Sequence, residues 1–97
     1  MSAVVRLNDG EPRKVEVRIP SSMASVAKTS DDLTAILDQA AEAVGGSCER
    51  TGPTTEVGVV TASLEPIGRD QPALERTLET LADTIRRSLA DRGYEVG

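Results

Sequence analysis

The chain has 97 residues, with 16 acidic and 11 basic side chains, no histidine and a single cysteine, Cys48. It therefore lacks the usual general base at neutral pH and the commonest metal ligand, and one cysteine cannot form an internal disulfide or a thiolate metal site. We expect no metal and no cofactor, and a non-enzymatic role is favoured over catalysis. The length suits one domain, residues 1–97, with a small core.

The net charge of −5 is unevenly distributed. Residues 1–28 hold five basic and three acidic side chains, and residues 29–97 hold six basic and thirteen acidic ones. An acidic body disfavours binding to phosphate backbones, and Tyr94 is the only aromatic side chain available for base stacking. Because no long apolar segment or secretion signal is present, we expect a cytoplasmic protein that binds neither nucleic acid nor membrane. The arginine- and alanine-rich composition suggests a bacterial source.

Two short apolar segments predict an N-terminal β-hairpin. The first covers residues 4–7, and in the second apolar and charged residues alternate from residue 15 until Pro20 ends the strand. The turn is expected around Asp9-Gly10. Alternation places three basic side chains on the outer face of the hairpin, where an acidic partner would be attracted: Arg6, Lys14 and Arg18.

Two helices are predicted from apolar residues at helical spacing. The first covers 31–44, with Ser30 as its N-cap, and the second covers 71–92, with Asp70 as its N-cap. The preceding segment, 21–30, is rich in serine, threonine and alanine. It is predicted to be a loop or a single helical turn.

The region between the helices predicts two more strands. Cys48–Thr51 forms a short strand that turns at Gly52-Pro53 into a second one, Thr55–Leu64. Valines between residues 57 and 60 make the second strand apolar on both faces, as is typical of a central strand. Tyr94–Val96 predicts the beginning of a last strand.

From Lys14 onward, the order strand, helix, strand, strand, helix, strand predicts an α+β two-layer sandwich. Specifically, we expect a ferredoxin-like (split βαβ) antiparallel sheet with two helices on one face and an extra N-terminal hairpin strand. The predicted core comprises Val17, Ile19, Leu33, Ile36, Leu37, Val57, Val59, Leu74, Leu78, Leu81 and Ile85. Because two helices cover one face only and the central strand is expected to be apolar on both, the sequence predicts a homodimer or another protein partner on the uncovered face.

Two functions are compatible with this fold. The leading hypothesis is a small non-enzymatic protein–protein interaction or assembly module, in which the uncovered sheet face and the basic residues Arg6, Lys14 and Arg18 contact a protein partner. The alternative is a regulatory domain that binds an anionic metabolite, or a small dimeric enzyme, with a site at a subunit interface. Its ligand-binding residues would be Ser22, Ser25, Lys28 and Thr29.

Overall fold

The structure is a computed structural model that describes residues 2–8 and 10–96. Within these residues the elements are β1 (Val4–Leu7), β2 (Val15–Pro20), α1 (Val26–Val44), β3 (Ser47–Glu56), β4 (Val59–Ile67) and α2 (Gln71–Asp91). The strands form one antiparallel sheet in the order β1-β2-β4-β3. The expected α+β class is confirmed.

The core lies between the two helices and one face of the sheet. α1 packs against β3 and β4, α2 packs mainly against β1, and the helices contact each other. Alternate strand residues point toward the helices, so that Val15 and Val17 of β2 and Val60 of β4 are completely buried. The helices contribute Leu33, Ile36, Leu37, Ala40, Leu78, Leu81, Ala82, Ile85 and Leu89. This packing buries one face of each strand and leaves the other free of helix contacts.

The ferredoxin-like strand order is not confirmed. The position beside β2 at the sheet edge is occupied by β1, which pairs with β2 as the predicted hairpin requires. In place of a last strand, the structure has a single parallel bridge between Ala3 and Val96. Of the predicted hairpin turn, Asp9 lies outside the described residues.

α1 begins at Val26, about one helical turn earlier than predicted, and continues through Ser30 without interruption. The apolar stripe extends backward, because Val26 packs against the core and Thr29 is buried one turn before Leu33. Packing of this additional turn stabilises helix in a segment whose local composition does not indicate it. The N-cap residue is therefore Ser25 and not Ser30.

α2 agrees with its prediction at both ends. It covers Gln71–Asp91, and the Asp70 carboxylate accepts a hydrogen bond of 3.1 Å from the Ala73 N–H. This bond satisfies one of the free N–H groups of the first helical turn.

The β3–β4 turn lies at Val57-Gly58 and not at Gly52-Pro53. Gly58 has a φ of 76°, in the left-handed region that glycine adopts without strain. Val57 is fully exposed at the turn, so its predicted place in the core is wrong. The predicted core position of Val59 is also wrong, because it lies on the sheet face opposite the buried Val60. Leu74 is partly buried against the core, and the other predicted core residues are buried.

The Gly52-Pro53 pair is accommodated inside β3 as a bulge. The register with β4 shifts between Thr51 and Thr54, so Gly52 and Pro53 interrupt the ladder of hydrogen bonds without ending the strand. Gly52 has a φ of 86°, and a Cβ there would lie 2.9 Å from the carbonyl oxygen of Thr61. Only glycine permits this approach of the two strands.

Candidate interaction surface

The sheet face that points away from the helices has no cover among the described residues, and we call it the open face. Its side chains follow from the strand alternation, since they point opposite to the buried residues of each strand. They are Val4 and Arg6 of β1, Glu16, Arg18 and Pro20 of β2 with Lys14 just before it, Val59, Thr61, Ser63, Glu65 and Ile67 of β4, and Ser47, Glu49, Thr51, Thr54 and Glu56 of β3.

The structure brings the three predicted basic residues, Arg6, Lys14 and Arg18, together on the open face. Arg6 opposes Glu16 in the β1–β2 register, and its Nη2 lies 4.0 Å from Glu16 Oε2. Within the described part of the chain, no carboxylate lies within 4.0 Å of Lys14 or Arg18. These two cations are therefore available to an outside partner.

Arginines on the helix side have a different role, because they join elements of the fold. The Arg13 guanidinium donates to both carboxylate oxygens of Glu75, at 2.5 and 3.3 Å, and so ties the hairpin to α2. Arg86 of α2 donates to the carbonyl oxygen of Val5 in β1 at 3.1 Å. Three more arginines bind carboxylates or backbone carbonyls of other elements: Arg50, Arg69 and Arg92. The open-face cations are thus set apart from those that hold the structure together.

Two shallow depressions cross the open face. The first has a volume of about 300 Å³ and a polar lining that includes Lys14, Arg18, Thr51, Thr54, Thr61 and Ser63. The second, of about 440 Å³, adds the apolar side chains of Val4, Pro20 and Val59. Glu16 and Arg18 of β2 line both depressions.

Apolar side chains are exposed at one end of the sheet, in a group that we call the apolar tip: Met23, Val26 and Val57. Met23 is 96% exposed and Val57 103%, and Val26 is half-buried beside them. The Ser21 N–H donates to the Gly58 carbonyl oxygen at 3.0 Å, which holds the two loops together. Gly58 also lines the second depression, so the tip continues into the open face. The sequence pattern does not predict this surface, because it favours a core position for Val57.

The residues of the alternative ligand site, Ser22, Ser25, Lys28 and Thr29, have partners within the protein. The Ser22 hydroxyl donates to that of Ser25 at 3.1 Å, and the Thr29 hydroxyl is buried 3.1 Å from the hydroxyl of Ser21. The Lys28 ammonium donates to Asp32 at 2.8 Å. Their polar groups face one another or other parts of the fold and do not converge on one cavity.

Asp32 is the centre of a polar cluster that the sequence analysis did not identify. Its carboxylate accepts hydrogen bonds from Lys28, from the Tyr94 hydroxyl at 2.6 Å and from Arg92 at 3.1 Å. Hydrogen bonds from Lys28 and Tyr94 lower the pKa of Asp32, whereas burial, followed by the bond to Asp32, raises the pKa of Tyr94. Because the carboxylate is compensated by two cations, the cluster serves to join α1 to the segment after α2.

Comparisons of the chain with protein families, with curated proteins and with solved structures gave no match. Among the described residues, no group of three or more Cys, Asp or Glu side chains is arranged to hold a metal ion. Over the same residues, neither helix has the length and apolar character needed to cross a membrane. The open face is the candidate site on which a functional proposal rests.

Proposed function

We propose that this chain is a small non-enzymatic interaction module that binds a polypeptide through its open face. The observation that carries the proposal is the presence of Lys14 and Arg18 on a sheet face without helix cover, with no described carboxylate close enough to neutralise them. Cations on an exposed surface attract a partner of opposite charge and orient it through electrostatic complementarity.

The shape of the surface favours a polypeptide over a small molecule. Small-molecule sites bury most of the ligand surface in a concave pocket with a few convergent polar groups. The open face instead offers two adjoining depressions that extend from the hydroxyl groups near Thr61 to the apolar residues near Val59. A polar area beside an apolar area is the usual composition of a protein-binding surface.

A photo-crosslinking amino acid at position 61 tests the proposal in cells that express the chain naturally. Thr61 lies in the centre of the open face, and the exposed Thr80 on the solvent side of α2 is the matched control. We expect a discrete crosslinked polypeptide from position 61, none from position 80, and loss of the product when Arg6, Lys14 and Arg18 are all changed to glutamate.

The absence of a crosslink from position 61, or equal products from both positions, would overturn the proposal. So would a metabolite that raises the melting temperature of the wild type but not of Lys28→Ala, because binding to the native state stabilises it by mass action. A melting temperature that rises with the metabolite in the wild type and not in Lys28→Ala would support the alternative site around residues 21–30.

A further inference from the structure

Charge on the open face is divided between its two halves. The half formed by β1 and β2 carries Arg6, Lys14 and Arg18 with one carboxylate, Glu16. The half formed by β4 and β3 carries three carboxylates: Glu49, Glu56 and Glu65. A line between β2 and β4 therefore separates a basic half from an acidic half.

This division makes the open face complementary to itself. A two-fold rotation about an axis parallel to the strands reverses the strand order, so that β1 and β2 of one copy lie over β3 and β4 of the other. Each basic half then meets an acidic half, twice in the dimer. A two-fold axis across the strands would instead place the basic halves against each other and cost free energy through like-charge repulsion.

The register places matching charges at similar heights along the strands. Lys14 precedes Val15, which opposes Leu64, so Lys14 is level with Glu65. Arg18 is level with Thr61 of β4. The next outward residue of β4 is Val59, which pairs with Glu56 on β3. Rotation about an axis along the strands keeps these heights, so Lys14 of one copy faces Glu65 of the other. Arg18 faces Thr61, and Glu56 of the second copy is one strand and one outward residue away.

We propose that the partner of the open face is a second copy of this chain, bound through this two-fold arrangement. The inference rests on the proposed function and names its partner. With β2 of one copy over β4 of the other and heights kept, Arg18 faces Thr61 of the second copy and Glu16 faces Ser63.

The size of the surface indicates a small interface. The two central strands have six and nine residues, and a strand advances about 3.3 Å per residue with about 4.8 Å between neighbours. Four strands thus offer roughly 500 Å² per copy. Two such faces bury roughly 1,000 Å², below the usual range for stable complexes. The dimer is therefore reversible and weakens as salt screens its charges.

A charge exchange between the two halves tests the arrangement. The basic-half variant is Lys14→Glu with Arg18→Glu, and the acidic-half variant is Glu56→Lys with Glu65→Lys. Each alone should associate more than about tenfold more weakly than the wild type, because like charges then face each other. An equimolar mixture should form a heterodimer, since an acidic face then meets a basic one. Sedimentation velocity over a concentration series, with native mass spectrometry of the mixture, measures both effects.

Arg76→Glu with Arg87→Glu is the matched control, because it changes the net charge equally at exposed positions on α2. It should leave the association unchanged, and circular dichroism verifies that every variant folds. Wild-type protein that stays monomeric at every concentration, or mixed variants that do not associate, would overturn the inference. A monomeric wild type that crosslinks to a different polypeptide from position 61 would overturn the second copy as partner while the proposed function stands.

Discussion

At the scale of single residues, Asp32 connects parts of the chain that are far apart in sequence. Its partners Arg92 and Tyr94 are 60 and 62 residues away, and the side chain of Asp32 is only 14% exposed. A carboxylate with so little contact with water is stable as an ion because donors surround it. The protonation of this cluster therefore affects the stability of the folded chain.

We expect this cluster to stabilise the folded chain less at both ends of the pH range. The contribution of Asp32 to the free energy of unfolding is complete above the carboxyl pKa of the unfolded chain, about 3.9. It is lost as the pH falls through the lower pKa of Asp32 in the folded chain. The contribution of Tyr94 is complete below about pH 10 and is lost as the pH rises through its higher folded pKa. The hydrogen bond to Asp32 also raises the pKa of Lys28, which acts in the same alkaline window.

Asp32→Asn should lower the free energy of unfolding by about 1–3 kcal/mol at neutral pH, because it weakens charged hydrogen bonds to three groups. The difference from the wild type should shrink as the pH falls through the lowered folded pKa of Asp32, because the wild type then loses the same charge. Urea unfolding of both proteins at a series of pH values measures this difference in the free energy of unfolding. Asp31→Asn, at an exposed neighbouring position, should change stability by less than about 0.5 kcal/mol. A difference that stays constant from neutral to acid pH would contradict this role of the Asp32 charge.

At the scale of the elements, local patterns predicted α2 and the β1–β2 hairpin, and packing decided the rest. The start of α2 has a strong local signal, since Asp70 caps it and Pro72 lies in its first turn. The start of α1 has none, because burial of Val26 and Thr29 extends the helix backward. Likewise Gly52-Pro53 resembles a turn, and its inclusion in β3 depends on pairing with β4.

Substitution by alanine distinguishes the buried apolar residues of α1 from Val57, which the sequence predicts in the core and the structure places in the β3–β4 turn. Leu37→Ala should destabilise the protein by about 2–5 kcal/mol, since the side chain is completely buried and the change leaves a cavity. Val57→Ala should have almost no effect, because that side chain is fully exposed. Chemical denaturation gives both values, and a comparable cost for the two substitutions would show the assignment of the β3–β4 turn to be incorrect.

The bulge in β3 should depend on glycine at one position. Gly52→Ala should cost about 1–3 kcal/mol, because it forces a side chain into the left-handed region and against the Thr61 carbonyl. Gly10→Ala is the control, since its Cβ would meet only the Asn8 side chain, at an ordinary distance of 3.8 Å. Thermal unfolding compares the two variants. Equal melting temperatures would argue against a close approach of β3 and β4 at this position.

At the scale of the whole molecule, the candidate site could be predicted in part. Alternation along the hairpin correctly placed Arg6 and Arg18 on the outer face, because the period of two needs only the local sequence. The acidic half could not be assigned, since Glu56 belongs to the open face only if β3 continues beyond the bulge. The expectation that the central strand is apolar on both faces failed for the same reason, and the open face is mainly polar.

The two ends of the sheet determine how far an assembly can grow. Polymers of sheet proteins form when an exposed edge strand pairs with the edge of the next molecule, and a fibre then extends without limit. Here β3 is interrupted by Pro53, which has no N–H to donate, and at the opposite edge the Ala3 N–H already donates to the Glu95 carbonyl oxygen at 2.7 Å. Lateral growth is thus hindered at both edges, whereas contact through the open face consumes that face in both copies. The two-fold contact proposed above would use the open face of both copies, so it would close at two molecules and would not extend into a fibre as the concentration of this acidic chain rises.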